Sequence, residues 1–127
     1  MTLCAPDIIG SSPVNIKWNV VRGDTATLRV DFLEDDEVTA IDISEWDIEA
    51  TAYDSKANLS YALDITVNNG WIVVTAESDI TENWGTGIRY RVNELNFDVQ
   101  VTLADDTVWT PVIGVISVIA DVTGANL

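Results

Sequence analysis

Two short stretches and one residue type in this sequence have chemistry to offer. Arg22-Gly23-Asp24 is the tripeptide of cell-adhesion signals. Glu34-Asp35-Asp36-Glu37 gathers four carboxylates, and calcium favours clustered carboxylate oxygens. Five tryptophans, at 18, 46, 71, 84 and 109, could stack on sugar rings or anchor an interface. Catalysis finds less to work with. Histidine, the commonest general base, is absent. Cys4 has no imidazole to activate it. A carboxylate pair can act as acid and base, but among 21 acidic residues some pair always exists. The chain therefore reads as non-enzymatic, with no catalytic residues, no cofactor and no metal.

Each of these features also has a structural reading. Downstream of Asp24, Ala26, Leu28, Val30 and Phe32 fall on one face and Thr25, Thr27, Arg29 and Asp31 on the other. Period-two alternation marks a half-buried strand. Gly23-Asp24 then sits where a turn needs a flexible glycine and a short side chain that bonds its own backbone. The tripeptide reads as a turn. The acidic run lacks the spaced ligands and central glycine of an EF-hand loop, so it reads as a solvated hairpin tip. Asp105-Asp106 reads as a tight turn. Trp18 shares a face with Ile16 and Val20 and belongs in the core. Trp46 and Trp71 stand at strand starts and are expected partly buried. Trp84, beside Gly85, and Trp109, beside Thr110-Pro111, are placed at the surface as interface residues, with core as the open alternative.

The elements that position these residues are β-segments. Ile16, Trp18 and Val20 alternate with Lys17 and Asn19. Ile48, Ala50 and Ala52 face one way and Glu49, Thr51 and Tyr53 the other. Leu59 to Thr66 is a weaker strand, and Asn68-Asn69-Gly70 is a turn signal. Trp71 to Ala76 is apolar on both faces, as in a covered central strand. One helical turn is expected from Ser78, ending at Gly85. Ile88 to Val92, Leu95 to Leu103, Val108 to Pro111 and Val112 to Val122 complete the set. No segment has a 3.6-residue period. The expected fold is all-β: a single immunoglobulin-like or jelly-roll-like antiparallel β-sandwich of about eight or nine strands with one short helical turn.

Residues 1–15 read as an extended arm broken by Pro6, Gly10 and Pro13, residues 16–123 as the sandwich, and residues 124–127 as a short tail. In the arm Ile8, Ile9 and Pro13 are candidate interface residues, either docking on a neighbouring subunit or folding back as an edge strand.

Composition sets the outer limits. The length suits one domain, and 47% hydrophobic residues argue against disorder. No apolar run approaches a bilayer span, and the N-terminus lacks the pattern of a secretory signal. A lone cysteine cannot form an intramolecular disulfide, which suits synthesis in a reducing cytoplasm. A formal charge of −15 repels phosphate backbones and anionic lipids. Nucleic acid and membranes are therefore not expected partners; a basic protein surface or a divalent cation is the natural complement.

The order of these motifs resembles a known family. A strand opens after Gly23-Asp24-Thr25; a turn leads to Ile41-Asp42-Ile43-Ser44-Glu45-Trp46 and a strand; Gly87-Ile88-Arg89-Tyr90-Arg91-Val92 begins a hairpin; the domain closes with Gly114 to Thr123. This resembles the β-sandwich domain of tailed-bacteriophage virion proteins, such as the N-terminal domain of the lactococcal-phage baseplate upper proteins. It departs from the commoner pattern at Ile43-Ser44-Glu45, where Leu-Thr-Gly is frequent, and at Pro111-Val112-Ile113-Gly114. The baseplate proteins carry a long C-terminal extension that binds further subunits, and its role is not carried over to the four residues that follow Thr123. The resemblance implies a structural protein of the virion, made in the host cytoplasm. It would dock on capsid, neck or tail as a decoration or adaptor, with other virion proteins as partners in a symmetric oligomer. The alternative is a carbohydrate-binding or adhesin module, which needs Trp84 and Trp109 on one surface.

Overall fold

The computed structural model describes residues 2–4, 13–34, 36, 38–84 and 93–119. Eight strands and one helical turn follow in the order β1 (Thr2–Cys4), β2 (Val14–Val21), β3 (Ala26–Leu33), β4 (Asp47–Asp54), β5 (Leu59–Val67), β6 (Trp71–Ala76), α1 (Ser78–Thr81), β7 (Asn93–Thr102) and β8 (Val108–Ile119). The fold is all-β. Side by side the strands run β1-β3-β6-β5-β4-β7-β8-β2.

One strand joins the two layers. The first half of β5 pairs with β4, from Leu59 opposite Asp54 to Leu63 opposite Ala50. Its second half pairs with β6, from Asp64 opposite Thr75 to Val67 opposite Ile72. The chain therefore leaves one sheet at Leu63 and enters the other at Asp64. The first sheet is β1-β3-β6 with the end of β5. The second is the start of β5 with β4-β7-β8-β2. The two sheets, joined through β5, pack as the layers of one all-β domain. The sheet is mixed rather than wholly antiparallel, because the outermost pair at each end is parallel. Strand β2 runs parallel to β8 from Val14 opposite Val112 to Val21 opposite Ile119. Strand β1 runs parallel to β3, with Thr2 opposite Asp31. Thr2–Cys4 thus occupy an edge of their own chain's sheet, and Val14 and Asn15 already belong to β2.

The alternation that marks the strands also builds the core. Val30 and Phe32 of β3 and Ile72 and Val74 of β6 are fully buried. They belong to one buried cluster with Ala50, Phe97, Val99 and Ile116 of the other sheet. Aromatic rings bridge the layers edge to face: Phe32 stands 6.3 Å from Trp109 and 5.3 Å from Trp46 between ring centres.

Two glycines are fixed by space. Gly114 lies opposite both Ile16 and Phe97, and a Cβ there would meet the Ile16 carbonyl oxygen and, at 2.9 Å, the Phe97 ring. Gly70 has φ +83° in the turn where Asn68 N–H donates to the Trp71 carbonyl at 2.8 Å. The helical turn starts at Ser78, as expected, and Glu77 holds the N-cap position without a side-chain bond. Among the described residues no helix is long and apolar enough to cross a membrane. Gly85 and the expected strand Ile88 to Val92 lie outside the described residues.

Candidate functional site

Arg22-Gly23-Asp24 is a turn whose backbone is bonded into the domain. Gly23 has φ +90°, a conformation that suits glycine. Its N–H donates to Thr81 Oγ1 at 3.1 Å, and that hydroxyl donates to the Asp24 carbonyl at 2.7 Å. Asp24 N–H closes the turn on the Val21 carbonyl, and Arg22 N–H reaches the Ile119 carbonyl. Thr81 is fully buried, and the tripeptide gives its hydroxyl a donor and its closer acceptor, the Ser78 carbonyl standing farther off at 3.4 Å.

The acidic stretches also build turns. Asp36 accepts the N–H groups of Val38 and Thr39 and the Thr39 hydroxyl. These bonds hold its pKa below the ordinary carboxylate value. Asp105 is likewise lowered, by the side chain of Thr107 and by the Thr107 N–H it accepts. Asp42 is lowered by the backbone N–H and side chain of Ser44. Asp54 is buried and caps its turn by accepting from Lys56 and Ala57. Among the described residues no group of three or more His, Cys, Asp or Glu side chains converges in the manner of a metal site.

Two of the expected interface residues are corrected. Trp84 is 0% exposed and Trp109 is 6% exposed. Trp84 packs edge to face on Tyr61 with ring centres 6.0 Å apart, and Trp109 packs on Trp46 and Phe32. Neither indole can stack on a sugar or meet a partner at the surface. Pro13 immediately precedes β2 and is half-buried. Ile8 and Ile9 lie outside the described residues.

Among the described residues, a shallow groove of about 390 Å³ on the outer face of β2, β8, β7 and β4 gathers recognition chemistry. Asn15, Thr51, Tyr53, Asn96 and Asp98 surround a floor that includes Ile113 and Val115. Strand register explains the grouping. One row across the sheet reads Thr51, Asp98, Ile113, Asn15; the next reads Tyr53, Asn96, Val115, Lys17. Tyr53 is 37% and Ile113 38% exposed, so a ring edge and a branched aliphatic stand in solvent among amides. The Tyr53 hydroxyl donates to Asn58 Oδ1 at 2.9 Å, which holds one end of the ring. Partial burial raises the Asp98 pKa, since desolvation disfavours its charge.

The sequence showed that Thr51 and Tyr53 share a face, and that Asn96 and Asp98 do. It carried no sign that these pairs meet each other or Asn15. Only pairing between strands tens of residues apart brings them together.

No family model matches this chain, and no curated protein does. Among solved structures it is similar to an internalin-like protein of Listeria monocytogenes, at 12% identity and a TM-score of 0.40. The match covers 86% of this chain and 28% of that one.

Proposed function

We propose that this chain is a non-enzymatic structural component of a tailed-bacteriophage virion. It docks on capsid, neck or tail, as a decoration or adaptor, through the outer face of β2, β8, β7 and β4. The virion assignment is supported by the order of turn and strand motifs described above. The docking surface is supported by one observation: the outer face of β8 presents Ile113 and Ile119, both exposed, with Tyr53 nearby across the groove. Apolar surface of this kind is what a protein interface covers, while a polar rim stays wet. The partner is another virion protein with a basic surface, complementary to a net charge of −15. Copies follow the symmetry of the particle.

The carbohydrate reading loses its platform, because both tryptophans it required are buried.

The test is competition for particles. Wild type and Ile113→Asp are expressed together in infected host cells, and their ratio in purified virions is compared with their ratio in the lysate. Ile113 faces outward, so the variant should keep its melting temperature and be depleted from particles. Equal incorporation would refute docking through this face.

A further inference from the structure

We infer that the groove on the outer sheet face seats an arginine side chain of the partner protein, with Asp98 as its counter-charge and Tyr53 as its flanking ring. The inference rests on the docking role proposed above and names the chemistry of the contact.

Asp98 is the carboxylate that lines the groove. It is half-buried, and among the described residues it has no hydrogen-bond or ion-pair partner. Its row neighbours are Thr51 and Ile113, neither of which can neutralise it. Among the described residues the cation on this face is Lys17, two strands away and one row along. By strand and row spacing that is about 12 Å between backbones. Desolvation is the cause that raises the Asp98 pKa, and among the described residues no nearby cation opposes it. A desolvated, unpaired carboxylate weakens the fold that carries it. A docked cation would offset that cost.

The rest of the groove fits guanidinium better than ammonium. Arginine is the more weakly hydrated cation, binds carboxylate as a planar fork, and stacks on aromatic faces. Tyr53 is the diagonal neighbour of Asp98 on the adjacent strand. That places the two about 7–8 Å apart at the backbone, within reach of one ligand. Asn15 and Asn96 supply amide oxygens for the remaining N–H donors. The aliphatic stem of the arginine would lie on Ile113 and Val115. Glu49 and Glu94 on the same outer face keep the local field negative.

The experiment titrates the full-length chain with Nα-acetyl-arginine methylamide and follows it by NMR. Parallel titrations use the citrulline analogue, which is neutral and nearly the same shape, and a neutral hexose. The inference expects saturable shifts at the Asn15 and Asn96 side-chain amides and the Tyr53 ring. It expects a downward shift of the Asp98 titration when the probe is present. The citrulline analogue should bind about tenfold more weakly, and Asp98→Asn should weaken the arginine probe by about the same factor. The variant should melt no earlier than wild type, since it removes an uncompensated charge. Equal binding by Asp98→Asn or by the citrulline analogue would overturn the inference. So would shifts that spread over the surface without saturating, or hexose binding here in place of the arginine probe. Such a result leaves the docking role to be judged by the particle competition alone, which does not depend on arginine.

Discussion

Replacing Phe97 with alanine empties the middle of the second sheet. Phe97 is 4% exposed. Its ring meets Trp18 edge to face, with centres 5.8 Å apart and planes at 63°, and lies over Gly114 of the neighbouring strand. Returning the ring to water forfeits about 2–3 kcal/mol of transfer free energy. Losing the aromatic pair adds about 0.5–1.5 kcal/mol. The cavity beneath cannot collapse freely, because β8 and β2 are tied together along eight residue pairs. The expected cost is therefore about 3–5 kcal/mol. For a domain of this size that lowers the melting temperature by ~12–20 °C. Urea denaturation followed by tryptophan fluorescence is a direct assay; the midpoint should fall with little change in slope. Phe97→Leu, which keeps most of the volume, should cost under about 1.5 kcal/mol. A loss below about 1 kcal/mol for the alanine variant would refute this packing, as would a leucine variant no better than alanine.

Gly114→Ala should cost about 1–3 kcal/mol as overpacking, because the added carbon meets the Ile16 carbonyl and the Phe97 ring. Hydrogen exchange should then speed up along β2, and unchanged protection there would contradict the close approach. Thr81→Val keeps the volume but strands the Gly23 N–H and the Asp24 carbonyl, for a cost of about 1–3 kcal/mol; a wild-type midpoint would show that the hydroxyl does not hold this turn. Carboxyl titration by NMR should find Asp98 protonating at a higher pH than an ordinary aspartate, and Asp36, Asp42 and Asp105 at a lower one. For those three the folded pKa is depressed, so their contribution is present above the unfolded value near pH 4 and is lost as pH falls through the folded one. Asp98 has the opposite sign, its burden on the fold easing as pH falls through its raised pKa. Asp36→Asn should flatten the acid limb of the stability curve, and an unchanged limb would contradict the turn bonding.

Strands were legible where one face is buried. Ala26 to Phe32 and Leu95 to Val101 alternate because β3 and β7 each turn one side to a shared core. Turns were legible at Gly23 and Gly70 because their positive φ demands glycine. The fate of Trp84 was not legible. It follows α1 on irregular backbone, where no period predicts its direction, and packing on Tyr61 decides it. Trp109 was obscured by phase. Strand β8 continues through Pro111, where consecutive residues 111 and 112 are both buried beside a register shift opposite Val99 and Val101. Counting by twos across that irregularity misplaces the indole. The parallel edges were hidden for another reason. Val14 pairs with Val112 and Thr2 with Asp31, and local pattern says nothing of such distant partners. The groove inherits that difficulty. Asp98 is one of 21 acidic residues, and only its place between Thr51 and Ile113 marks it out.

The most direct measurement is the number of copies of this chain in purified tailed-phage particles, by quantitative mass spectrometry against a labelled standard. Docking predicts a fixed stoichiometry per virion, set by particle symmetry: about six or twelve at the neck or tail, or hundreds on the shell. Absence of the chain from washed particles, or an amount that varies from one preparation to the next, would contradict the virion role.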